Sequence, residues 1–322
     1  MAESGHRIED GSVDGLAEVT LVSEAAEIEA VFVPEAKMLC RSLRDRGAEL
    51  LGERHGFPAY LERGKTMGIP LLHPWANRVS AERFTLAGRE VQIDAGSPLV
   101  GLDENGLPIH GLNTAGRGWA VERAEANQER ALVEGRLDFA SEELLALFPF
   151  PHTISVVAEL REARLTIRTD VQATTDAGCP VAFGYHPYLK LPNVRREDWL
   201  IKAPLDERLV LDSRGIPTGQ RKPAEIASGP LGSRTYDDAF VAPRASGPFA
   251  LEGGGRRIDV AFSSTYPYAQ VFAPAADDVI CFEPMTAPTN ALVTGGSGLP
   301  LLGAGESYEA EFTIAVSEPE GP

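Results

Sequence analysis

The chain has 322 residues, 43% of them hydrophobic, which is enough to bury a sizeable core and excludes a disordered tail or a disulfide-held miniprotein. Forty-seven acidic residues face 30 basic ones, a formal net charge of −17, so nucleic acid and anionic membrane surfaces are repelled at long range and are not expected partners. The cysteines, Cys40, Cys179 and Cys281, are an odd number without paired spacing, and no run approaches about 18 apolar residues; together these predict a soluble cytoplasmic protein.

Along the chain, the polar start at residues 1–14 is expected to fray. Segments of alternating character follow at 17–23, 27–33, 83–93 and 119–137. Ser141-Glu-Glu opens a helical pattern that lasts two turns at most before Pro149. Residues 154–171 read as a hairpin: Ile154, Val156, Ala158 and Leu160 share one face, as do Leu165, Ile167, Thr169 and Val171 after the turn. Further alternating segments lie at 200–203, 208–211, 257–262, 269–272, 279–282 and 308–316, and residues 317–322 form a short tail. The 32 glycines and 24 prolines are spread throughout and punctuate many short elements. Many strands and few helices predict an all-β fold, a large antiparallel β-sandwich formed as one domain over residues 15–316.

Phosphate-loop, HExxH, GxSxG and GxGxxG signatures are all missing, so the usual ATPase, zincin, hydrolase and dinucleotide readings have no local support. Five stiff stretches remain in which polar groups sit among prolines, glycines and aromatics. They are Gly68-Ile-Pro-Leu-Leu-His-Pro-Trp-Ala-Asn-Arg78, Pro108-Ile-His-Gly111, Gly184-Tyr-His-Pro-Tyr-Leu-Lys-Leu-Pro192, Tyr236-Asp-Asp-Ala-Phe240 and Phe282-Glu-Pro-Met-Thr-Ala-Pro-Thr-Asn290. Proline restricts the residue before it to extended backbone, so His73, His186 and Glu283 are held in place by the chain itself. A carboxylate can take a proton from a hydroxyl and an imidazole can return one near neutral pH, while an arginine and a second carboxylate can hold sugar hydroxyls. One proton removed and one delivered suffices to open and reclose a sugar hemiacetal, with no metal or cofactor required.

These stretches, in this order, resemble the aldose 1-epimerase (galactose mutarotase-like) family across roughly residues 15–316. The match is to its G-x-P-x-x-x-P-W-x-N-R, H-G, H-P-Y and E-P-x-T-x-P-x-[ND] segments. The resemblance implies a β-sandwich of the supersandwich kind and a small-molecule sugar as partner; it leaves the oligomeric state open. It further implies that His186 is the general acid toward the ring oxygen and Glu283 the general base toward the anomeric hydroxyl. Arg78 and His110 match substrate-holding residues, and Asp237 matches a sugar-binding aspartate with Asp238 as its rival; strand geometry lets only one of the two face a pocket.

The H-G segment continues as Leu112-Asn-Thr rather than with a second glycine, so the resemblance does not extend to a galactose preference. A hexose 6-phosphate substrate and a non-catalytic sugar-binding module remain alternatives. So do a glycoside hydrolase built on Asp237 and Glu283 and a metal site built on His73, His110 and His186. His73, among Leu71, Leu72, Pro74 and Trp75, reads as a packing residue, and His6, His55 and His152 as surface or structural.

Overall fold

The computed structural model describes residues 5–176, 178–205, 207–223, 226–242, 247–296 and 298–319. Antiparallel strands dominate. A nine-stranded sheet runs in the order Ala120–Ala126, Ala131–Phe139, His152–Arg161, Arg164–Ala173, Ser307–Ser317, Arg256–Phe262, Phe249–Gly253, Leu200–Ala203, Ile226–Pro230. A seven-stranded sheet runs Pro217–Pro223, Glu207–Leu211, Tyr236–Val241, Tyr268–Ala273, Cys281–Met285, Gly184–Tyr185, Leu71–Leu72. A five-stranded sheet is formed by the N-terminal strands His6–Val13 to Ala48–Glu49.

The expected hairpin forms as strands His152–Arg161 and Arg164–Ala173, with Leu160 opposite Leu165, Ala158 opposite Ile167 and Ile154 opposite Val171. These side chains are buried, and fully burying one Leu or Ile stabilises by roughly 1.5–3 kcal/mol. They join one hydrophobic cluster that extends from Val19 to Val316 and takes in both large sheets. Phe282 meets Phe249 at 5.0 Å between ring centroids, and Tyr185 meets Phe312 at 4.9 Å. Alternation along the seven-stranded sheet therefore points Tyr185 and Phe282 into the core and their neighbours His186 and Glu283 to the other face.

Several elements differ from the sequence reading. Residues 6–13 are not frayed but form the strand His6–Val13, paired along its length with Leu16–Ser23. The turn between them is Asp14-Gly15, both at positive φ (48° and 81°), the pairing that two-residue hairpins favour. The segment 83–93 divides into Arg83–Leu86 and Arg89–Gln92, and 119–137 divides at Asn127, whose side chain caps a turn by accepting from Glu129 N and Arg130 N. Strands Leu39–Asp45, Pro217–Pro223, Ile226–Pro230, Tyr236–Val241 and Phe249–Gly253 add to those expected. Ser317 still belongs to the last strand, while residues 1–4 and 320–322 of the expected flexible ends lie outside the described residues.

The Ser141 pattern does give a helix, Glu142–Leu147, capped by the Ser141 hydroxyl accepting from Leu144 N. The three cysteines are free and buried. No helix among the described residues is long and apolar enough to cross a membrane.

Candidate active site

On the outer face of the seven-stranded sheet lies a cavity of about 360 Å³, within the usual range for small-molecule sites. Three adjacent strands build its floor. Asp237 stands opposite Phe272 across one strand pair, and Gln270 stands opposite Glu283 across the next, so all four project to the same side. Glu283 is 1% exposed. Gln270 Nε2 donates to Asp237 Oδ1 at 2.6 Å and fixes that carboxylate.

His186 enters from the next strand position, just past Gly184–Tyr185. Gly184 lies so close to the neighbouring strand that a Cβ there would sit 2.6 Å from Pro284 O, which is why this register needs glycine. His186 Nε2 lies 3.2 Å from Glu283 Oε1. The Tyr188 ring stacks on the imidazole at 4.3 Å, His110 and Phe272 meet it edge-on at 5.5 and 5.4 Å, and the Tyr188 hydroxyl shares a 2.5 Å hydrogen bond with Thr66. The ring is thus boxed in on several sides and aimed at the carboxyl group.

Burial, and after it the Asp237 carboxylate, pushes Glu283 well above the ordinary carboxylate range, while the Arg78 guanidinium pulls the other way. Burial, then His110 and Arg54, pulls His186 well below the ordinary imidazole range. Both shifts favour the uncharged forms of the two groups, and His186 Nε2 also shares a 3.4 Å hydrogen bond with the Tyr188 hydroxyl. Glu283 Oε2, Gln270 Oε1 and the Nδ1 atoms of His110 and His186 are buried without a protein hydrogen-bond partner. Orphaned polar atoms are rare in interiors, and their gathering around one cavity points to a polar ligand.

Arg78 reaches the same space from the Gly68–Arg78 stretch. Its Nε donates to Asp103 Oδ2 at 2.6 Å, its Nη1 to Asn77 Oδ1 at 3.3 Å, and its Nη2 lies 3.8 Å from Asp237 Oδ2. Asp103 is itself held by the amides of Asn105 and Leu107, so the guanidinium is fixed before any ligand arrives. His110 sits at φ 63°, next to Gly111 at φ 73°, where a Cβ would lie 2.2 Å from His73 O.

Asp238 does not line the cavity. It stands opposite Val271 on the other face of its strand and pairs with Arg208, so the sheet's alternation removes it from the expected substrate-holding set. His73 does not line the cavity either; its Nε2 is 2.8 Å from His152 Nε2, and Phe139 stacks on His152. That buried cluster leaves no common centre for His73, His110 and His186. His55, read from the sequence as surface or structural, does line the cavity, together with Arg54, Arg63, Lys65 and Thr66 around the short helix Phe57–Arg63. Gln270, Phe272 and Asp103 are further lining residues that carry no sequence signal of their own.

The sequence matches the aldose 1-epimerase family model across residues 41–315. The chain belongs to the aldose 1-epimerase family. Among solved structures, a galactose mutarotase-like protein from Clostridium acetobutylicum superposes with a TM-score of 0.85 at 20% identity, covering 98% of this chain and 99% of that one. Galactose 1-epimerase from Lactobacillus acidophilus NCFM gives 0.77 at 17% identity, covering 98% and 99%. At these identities the likeness is one of fold. Among curated relatives, the uncharacterized protein YihR of Escherichia coli K12 is 22% identical over 260 residues, 76% of this chain and 80% of that protein. Membership fits the antiparallel sandwich and suggests a small sugar as partner.

Proposed function

We propose that this family member is an active aldose 1-epimerase that interconverts the α and β anomers of an aldohexose. The observation that carries the proposal is the 3.2 Å contact between His186 Nε2 and Glu283 Oε1 at the floor of a sugar-sized cavity. O1 and O5 of a pyranose are both bonded to C1, so a base and an acid that serve one anomeric centre stand within a few ångströms of each other.

The pair holds one proton. As the sugar enters between the two groups, its O1 hydroxyl takes over the contact with Glu283 and its ring oxygen the contact with His186, and the reacting form is the carboxylate with the imidazolium. Glu283 then takes the proton of O1–H while His186 gives one to O5. The C1–O5 bond breaks, its electron pair stays with O5, and C1=O1 forms. After rotation about C1–C2, O5–H attacks the other face of the aldehyde, returns its proton to His186, and O1 recovers one from Glu283. Asp237, Arg78 and His110 hold the remaining hydroxyls, and no metal or cofactor takes part in any step.

One observation favours a second reading, a hexose 6-phosphate as substrate. Arg54, Arg63 and Lys65 line the cavity beside the helix Phe57–Arg63, although the chain as a whole is strongly acidic. A phosphate would be attracted to that side. Polarimetry on freshly dissolved α-D-glucose, α-D-galactose and α-D-glucose 6-phosphate tests both readings: acceleration with a free hexose is expected. Acceleration with the phosphate alone moves the assignment to the second reading, and sugar binding without acceleration reduces the protein to a binding module.

A further inference from the structure

His110 lines not only the large cavity but also a smaller hollow of about 30 Å³, which is large enough for one water. Lys37 and Tyr60 line only the smaller one. Lys37 is 5% exposed and follows the short helix Pro34–Ala36 at φ 63°. No carboxylate stands within ion-pair distance of it among the described residues. Its Nζ donates to Leu112 O at 2.8 Å. Removing a cation from water without an anionic partner costs several kcal/mol, so a lysine kept here calls for a function.

Two features tie Lys37 to His110. The first is the backbone. His110 and Gly111 are consecutive left-handed residues, held at entry by His110 N donating to Asn77 O at 3.0 Å and at exit by Leu112 N donating to His73 O at 2.9 Å. A non-glycine residue in this region is strained by roughly 1–3 kcal/mol and persists only where its surroundings fix it. Lys37 donates to the carbonyl of Leu112, the residue whose amide closes this turn; the same carbonyl accepts from Thr114 N. The second is the ring, whose Nδ1 is buried without a protein partner.

We propose that Lys37 is a positioning residue for His110: its ammonium holds Leu112 O beside the turn that carries the imidazole and, through one water in the small hollow, donates toward Nδ1, so that Nε2–H is offered to the sugar. A donor at Nδ1 fixes this tautomer because a neutral imidazole has one donor and one acceptor nitrogen. The surrounding charges act in the same direction. Burial, Arg78 and Lys37 bring His110 down to about 3, and burial brings Lys37 to about 7. His110 is thus a neutral hydrogen-bond donor beside His186 and does not compete with it for a proton. Tyr60 and His110 are the titratable groups that share the hollow with Lys37, and His73 also feels its charge. Around His110 stand Arg78, Asp103, Lys65 and His186.

The inference rests on the reading of the large cavity as a sugar site, so its test includes a readout that needs no turnover. Full-length protein labelled with ¹⁵N-histidine is compared with His110→Gln to assign the His110 resonances. The wild type should show the Nε2–H tautomer near pH 6, below the Lys37 value of about 7, and Lys37→Met should convert His110 to a tautomer mixture or restore its titration toward ordinary values. An Nδ1–H tautomer in the wild type overturns the proposal, as does a His110 spectrum indifferent to Lys37→Met. In kinetics, Lys37→Met should lower kcat/KM about tenfold in the wild type and less than twofold in a His110→Gln background; equal losses in both would mean a purely structural lysine. If Lys37→Met does not fold, the wild-type tautomer decides alone. If no sugar is turned over, the sugar-site reading falls while the tautomer result still stands.

Discussion

The hairpin of strands His152–Arg161 and Arg164–Ala173 and the cavity face of the seven-stranded sheet are built from the same pleated backbone and serve opposite ends. On the hairpin, buried apolar residues face one another in unbroken register. On the cavity face, Asp237, Gln270 and Glu283 take the positions that Leu, Ile and Val hold in the hairpin, and several of the polar atoms there have no partner. Stability resides in the first region, and the proposed chemistry belongs to the second. A strand pair accepts such strain where the nine-stranded sheet behind it, through contacts such as Phe249 on Phe282, supplies the packing that the polar face lacks.

The sharpest way to break this comparison is to remove the imidazole from the cavity face. His186→Asn should lower kcat about 10²- to 10⁴-fold, the usual contribution of a general acid, while the melting temperature stays within a few degrees. A loss below tenfold would remove His186 as the acid. The mirror experiment is Leu160→Ala in the hairpin, where a cavity in close-packed core should destabilise by about 2–5 kcal/mol in urea unfolding. Its kcat should remain within twofold of the wild type; a large fall in turnover would mean that the two regions are not separable.

Acid provides a third test. His73, His110, His152 and His186 are all held below ordinary imidazole values, chiefly by burial, with His110 at about 3 and His152 at about 4. Below pH 6.5 the unfolded chain takes up these protons and the native one does not, so stability falls with pH, by about 1.4 kcal/mol per pH unit for each histidine. Glu283, raised in the native state, works in the opposite sense: its contribution is present at low pH and lost as pH rises through its native pKa. Urea midpoints should therefore drop steeply from pH 6.5 to 5, and His152→Gln, placed away from the cavity, should flatten that slope if it folds. The smallest effect contrasts two neighbours. Asp237→Asn should lower kcat/KM about tenfold, whereas Asp238→Asn should change it less than twofold.

The two regions also differed in how far the sequence revealed them. The hairpin could be read because its alternation is long and its turn is short. Tyr236–Val241 could not, since Asp237 and Asp238 interrupt the alternation, and only pairing with Tyr268–Ala273 makes that segment a strand. His6–Val13 carried the Asp14-Gly15 turn as its signal, but its polar alternation resembles a frayed end. Within the cavity, stretches stiffened by proline were visible as sequence. Gln270, Phe272 and Asp103 were not, because each is an ordinary residue whose place depends on strand register or on a turn closed by distant contacts.

In the proposed mechanism Glu283 removes one proton from the sugar while His186 delivers another. Saturation-transfer NMR on an equilibrated aldohexose reads α/β exchange and sugar binding together, for the wild type and for Glu283→Gln. The amide preserves shape and cannot accept a proton, so exchange should fall at least a hundredfold while binding changes less than tenfold. Exchange in Glu283→Gln within tenfold of the wild-type rate would contradict the account.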